Sequence, residues 1–192
     1  LGKRWRRCHG ARVSPEASPF RIANFRAFWF ARLSTTLAQY AMMLIIGWQT
    51  YNLGRDGGMS VGEASGQLAL IGLLQFVPLF LLTPFSGLAA DRFDRRNLGR
   101  LTALLQLVCA VVLATFTWNE AMSLWVLYAV AVVLGVVRAF AGPALSALAP
   151  NLVPKSILPS AIALSSISWQ VGMIVGPAVG GVFYEIEPAL PY

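Results

Sequence analysis

Five long stretches almost free of charge constrain this chain more than any other feature. They run over residues 33–51, 68–90, 101–118, 124–148 and 161–184, and Arg138 is the one charged residue inside them. A bilayer core of about 30 Å takes about 20 helical residues to cross, and each stretch is close to that length. Charged residues make up 12% of the chain, about half the usual share for a soluble domain. Nine of the 23 lie in a basic lead-in before Leu33, leaving too few over the rest of the chain to coat a water-facing globule. The pattern argues against disorder and against a soluble fold, and for a chain whose solvent is mostly lipid.

Proline and glycine mark the boundaries. Asn52, Gly54, Asp56, Gly57 and Gly58 follow the first stretch, and Pro150 and Pro154 follow the fourth. Pro78 and Pro84 fall inside the second, where a membrane helix tolerates them if neighbours satisfy the freed carbonyls. The expected organisation is an arginine-rich tail over 1–26 and an all-α membrane unit over 27–192. Its helices are expected at about 28–53, 68–90, 98–118, 124–149 and 158–184. The tail lacks the apolar core and cleavage site of a signal peptide and reads as cytosolic. Because residue 1 is Leu, the natural start is expected upstream and the chain to be a fragment.

Lysine and arginine are held on the cytoplasmic side during insertion. Eight basic residues precede Leu33, four (Arg92, Arg95, Arg96, Arg100) follow the second stretch and Lys155 follows the fourth, whereas the alternate loops hold only Arg55. This alternation predicts a multi-pass protein of the plasma (bacterial inner) membrane with a cytosolic N-terminus. Trp48, Tyr51, Trp118, Trp125 and Tyr184 then fall at outer ends and Trp29 at an inner one, as interfacial belts. A net charge of +7 dealt to one side of a membrane does not read as a nucleic-acid footprint. Cys8 lies in the tail and Cys109 in an apolar run, so no disulfide framework is implied, and Cys8-His9 has no second Cys/His pair to complete a zinc site.

The loop after the second stretch reads Gly87-Leu-Ala-Ala-Asp91-Arg92-Phe-Asp94-Arg95-Arg96. A glycine four residues before an aspartate at a helix end permits close helix contact, and the aspartate can pair with arginine or cap a neighbouring helix. Equally, this is what a short loop kept inside by its arginines looks like. The fifth stretch carries Gly172-Met-Ile-Val-Gly176-Pro177-Ala-Val-Gly180-Gly181. Glycines four apart lie on one helical stripe and let another backbone approach, while Pro177 removes a hydrogen bond.

Together, G-x-x-x-D-R-x-x-R-R and g-x-x-x-G-P-x-x-G-G resemble signature elements of the major facilitator superfamily of secondary transporters. Asp94 stands where that family usually has glycine, a variant similar to the macrolide and enterobactin exporter branch. The resemblance implies that Asp91, Arg92, Arg95 and Arg96 gate the cytoplasmic side by contacting the other half of the protein, and the fifth-helix element is associated with drug and proton antiporters. Arg138-Ala-Phe-Ala-Gly142 is similar to the family's R-x-x-q-G, with alanine in place of glutamine.

An arginine at mid-span costs about 2.5 to 3.5 kcal/mol on insertion scales. Arg138 reads as lining a watery cavity, the alternative being satisfaction by carbonyls or snorkelling. Thr36, Gln39, Tyr40, Met43 and Gly47 share one face of the first helix and are cavity candidates or interhelical glue. Gln75, Ser165, Ser168, Trp169 and Gln170 are weaker candidates of the same sort. No Asp or Glu lies within the stretches apart from Asp91 just past the edge of the second, although proton-coupled transporters usually need a titratable group.

The resemblance implies five helices of the first six-helix half of a twelve-helix fold built from inverted repeats. The expected function is export of a drug, macrolide or siderophore by alternating access, in partnership with the bilayer and the missing C-terminal half. No cofactor is expected beyond possible proton coupling. A metabolite importer and a non-transporting five-helix scaffold are the alternatives. A membrane-embedded enzyme would need paired carboxylates, a His cluster or a Ser/His arrangement within the spans, and the sequence has none.

Overall fold

The computed structural model describes residues 18–92, 94–148 and 151–192. The stretch with Cys8 and His9, and most of the expected tail, lie outside the described residues, as do the side chains of Asp91 and Arg95. Five helices make up the fold: α1 (Ala23–Asp56), α2 (Val61–Arg92), α3 (Arg95–Trp118), α4 (Leu124–Leu148) and α5 (Leu158–Ile186). Short 3-10 turns cover Pro19–Arg21 and Lys155–Ile157.

Three starts and one end differ from expectation, each for a local reason; α3 begins at Arg95 rather than 98 because Asp94 caps it. The Asn52–Gly54 segment does not break α1, because its polar side chains and small glycine fit a helix end packed against the next element. A Cβ on Gly54 would stand 3.2 Å from Met59 Sδ and 3.4 Å from Ala64 Cβ. The helix stops at Gly58, whose φ of 85° is in the left-handed region. Gly58 N–H then donates to Arg55 C=O and Met59 N–H to Gly54 C=O, the paired bonds of a Schellman end. α2 begins at Val61, well before 68. Ser60 and Glu63 form a reciprocal capping box: Ser60 N–H donates to Glu63 Oε2 at 2.8 Å and Glu63 N–H to Ser60 Oγ at 3.3 Å. At the tail side, the helix starts at Ala23 rather than 28, and Pro19 is buried. Phe20 packs edge-on against Phe25 and Trp29 at 5.9 and 5.3 Å, so the lead-in joins the bundle before residue 27.

The odd-numbered helices run from the tail-side end to the far end and the even-numbered ones return. Packing does not follow chain order: α1 lies chiefly on α5, α2 on α4, and α3 on α4, while the consecutive pair α2 and α3 barely touches. The main core gathers Met42, Ile46, Ile71, Leu113, Leu127 and Leu134 from the first four helices, and a smaller one at the tail-side end holds Phe25, Phe28, Val153 and Ala161. Four described segments are long and apolar enough to cross a membrane, over 61–89, 96–118, 124–143 and 155–186. α1 falls outside that group on hydropathy. Its 34 residues include Thr36, Gln49 and Thr50, all buried inside the bundle. The outward surface is apolar instead: Leu73, Phe76, Phe80, Leu81, Phe85 and Leu88 form one exposed stripe of α2. A stripe of that size marks a lipid or partner surface.

Candidate functional site

The glycines of α5 set how closely it sits on α1. A Cβ on Gly172 would come within 2.7 Å of Thr36 Cβ, one on Gly176 within 2.7 Å of the Leu37 carbonyl oxygen, and one on Gly180 within 2.9 Å of Ala41 Cβ. Gly181 makes only ordinary contact with Leu44 at 3.8 Å, and Gly87 and Gly142 face open space among the described residues. A glycine that the sequence did not single out does comparable work: a Cβ on Gly135 of α4 would collide with the Gln75 carbonyl oxygen of α2 and stand 3.1 Å from Gln75 Cα.

The expected polar face of α1 divides into two. Thr36 is buried, its hydroxyl donates to the Arg32 carbonyl at 2.7 Å, and its methyl side meets Gly172, so it serves packing. With Gln39 it also borders a hollow of about 440 Å³ between the tail-side halves of α1, α3 and α4. Arg96, Arg100 and Gln106 form its α3 wall, and Gln106 Nε2 donates to the Thr35 carbonyl at 2.9 Å. Tyr40 and Met43 border a second hollow of about 510 Å³ on the side of α1 between α2 and α5, with Gly47, Trp48, Tyr51, Leu68 and Pro177. Half-buried Arg138 reaches that side from α4, its Nη1 4.0 Å from Met43 Sδ. The structure thus joins Arg138 and Met43, two of the residues singled out by sequence.

In the loop between α2 and α3, Asp94 is the N-cap of α3 and accepts the Arg96 N–H at 3.0 Å. That local cap explains an acidic residue at this position. Arg92 and Arg96 are exposed. Among the weaker candidates, Ser165 and Ser168 are buried at the α1–α5 contact and Ser168 donates to the Ser165 carbonyl at 2.8 Å, whereas Trp169 and Gln170 are exposed. Trp29 is not a belt residue facing outward: its indole N–H donates to the Leu164 carbonyl at 2.9 Å and clamps α1 to α5. Trp48, Trp118 and Trp125 are exposed at the far end.

Sequence reasoning missed Gln49. Only 4% exposed, it donates from Nε2 to Thr117 Oγ1 at 3.0 Å and accepts from the Tyr192 hydroxyl at 2.7 Å, tying α1 to α3 and to the segment after α5. Burial pushes the Tyr192 phenol well above its ordinary range, so it remains a donor. A Gln three turns into a polar stripe is the one available signal, and Thr117 could not be matched to it without the fold.

Residues 14–190 match the family described as transmembrane secretion effector. The chain belongs to that family, within the major facilitator superfamily. It is 29% identical over 119 residues to macrolide efflux protein A of Streptococcus pyogenes, covering 62% of this chain and 29% of that protein. Against the staphyloferrin A transporter of Staphylococcus aureus it is 26% identical over 123 residues, 64% of this chain and 31% of the relative. The class C tetracycline resistance protein of Escherichia coli gives 30% over 125 residues, 65% and 29%. The matched part of the chain thus spans about a third of these relatives. α1 packs on α5 and α4 on α2, two contacts that a swap of one with four and two with five exchanges. The chain is a multi-pass membrane transporter segment, not an enzyme.

Proposed function

We propose that this chain forms five helices of the first half of an exporter of small hydrophobic or amphipathic molecules, which works by rocking against a second half. The observation that carries the reading is the α2/α5 side of α1, where Tyr40, Met43, Trp48 and Tyr51 line an apolar hollow and Arg138 adjoins it through Met43. Substrates of such transporters sit near the midplane between halves, and an intramembrane arginine is tolerated where it faces a cavity. Relatives named for macrolide efflux, tetracycline resistance and staphyloferrin A transport support small-molecule movement, with efflux in one name of the three kinds. In this reading α1 also crosses the plasma membrane despite its polar residues, because those are turned into the bundle, and the N-terminus is cytosolic. Arg92, Arg95 and Arg96 with Asp91 gate the cytosolic end. Proton coupling, if the whole protein uses it, draws on a carboxylate outside the five spans.

The test is efflux from cells expressing the complete reading frame, measured as retained fluorescent or radiolabelled compound across a panel of macrolides, tetracyclines and siderophores. Lower accumulation than in cells carrying an Asp91→Asn version supports export. Accumulation equal to that control for every compound refutes it, and uptake above it favours the importer.

A further inference from the structure

We infer that the hollow between α1, α2 and α5 binds an amphipathic anion, its apolar body against Tyr40, Trp48, Tyr51 and Pro177 and its acidic group turned toward Arg138. The inference rests on the transporter reading and names the chemical class that this site prefers.

Three observations carry it. The hollow's walls are aromatic and aliphatic, with no acidic residue among them, and at about 510 Å³ it is the size of an ordinary small-molecule site. The lining runs up one stripe of α1 from Tyr40 to Tyr51, about 16 Å at 1.5 Å per residue, so it suits an extended or fused-ring body rather than a small solute. A positive charge lies directly against the lining: Arg138 Nη1 is 4.0 Å from Met43 Sδ, and a thioether is a weak acceptor that leaves the guanidinium's donors short of an anion. A carboxylate or sulfonate reaching past the flexible Met43 side chain gains a charge-assisted, two-pronged contact.

The opposite charge sits elsewhere. Glu185 borders a separate hollow of about 450 Å³ on the α5 side, which shares Leu44 and Trp48 with this one. A cation would therefore be drawn to the Glu185 side of Trp48, while an anion is drawn past Met43 toward Arg138. The two hollows set up opposite preferences across one indole ring.

The experiment uses the complete protein in detergent and two probes with the same ring and opposite charge, 2-naphthalenesulfonate and 2-naphthyltrimethylammonium, with binding read by equilibrium dialysis. The expected result is at least about tenfold tighter binding of the sulfonate. Arg138→Gln should bring the two within about twofold, Arg138→Lys should keep the sulfonate preference, and Trp48→Ala should weaken the sulfonate without reversing the order. Equal binding, an ammonium preference, or no binding of either probe by the unsubstituted protein overturns the proposal without relying on any variant to fold. A sulfonate preference in a protein that moves no compound in the efflux assay leaves the site standing and removes the transporter reading. Efflux without the preference does the reverse.

Discussion

The two most extensive helix seams of this bundle, α1 on α5 and α2 on α4, reach the same closeness by different means. Along α1 and α5, three glycines spaced by four, Gly172, Gly176 and Gly180, open a continuous track for Thr36, Leu37, Tyr40 and Ala41. Along α2 and α4, one glycine, Gly135, admits the Gln75 backbone, and the rest of the seam is held by side chains such as the Tyr128 hydroxyl on Gln67 Oε1. In lipid there is no hydrophobic drive between helices, so close approach and interhelical hydrogen bonds do the stabilising. The comparison teaches that the repeated motif marks a long seam, but a lone glycine can be just as intolerant of a side chain where it meets backbone.

Substitutions can break that comparison, with thermal unfolding in detergent, followed by size-exclusion fluorescence, as the common measurement. Gly176→Leu should be the most damaging, because it drives a branched side chain into the Leu37 carbonyl; a loss of about 3 kcal/mol or more is expected, seen as disappearance of the monodisperse peak. Gly135→Ala should cost about 1 to 3 kcal/mol, no less than Gly172→Ala, since a single methyl already meets the Gln75 backbone. A neutral Gly135→Ala would mean that α2 and α4 stand further apart. Gln49→Leu, which removes the tie to Thr117 and Tyr192, should cost about 1 kcal/mol and be matched by Thr117→Val with Tyr192→Phe. Smallest is Gly142→Ala, which has open space around it and should stay within about 0.5 kcal/mol or gain slightly from helix propensity. An equal loss at Gly142 and Gly172 would sink the distinction between motif glycines that pack and those that do not.

What the sequence could show follows from the same physics. The cores of the helices were readable because a bilayer demands about 20 apolar residues in a row. Helix ends are set by single hydrogen bonds, so the Ser60–Glu63 box and the Gly58 cap moved the boundaries although both were visible as local patterns. The α5 track was legible as a spaced motif. Its partner face on α1 was legible only as polarity, which is why Thr36, a packing residue, stood alongside Met43, which touches Arg138. Gly135, Gln49 and the interhelical bond of Trp29 depend on which helices adjoin, and pairing out of chain order, α1 with α5 and α2 with α4, leaves no local trace. Asp94, read from the resemblance only as a departure from the usual glycine, has its local use as the cap of α3 shown by the backbone.

The account depends most on α1 crossing the bilayer even though its composition alone does not require it. The direct measurement places a single cysteine at Ser18 or at Asp56, both exposed and at opposite ends of α1, in a chain carrying Cys8→Ser and Cys109→Ala, and treats intact cells with a membrane-impermeant thiol reagent. Labelling of Asp56→Cys from outside, with Ser18→Cys labelled only after permeabilisation, is the predicted result. Both positions labelled on the same side would contradict it.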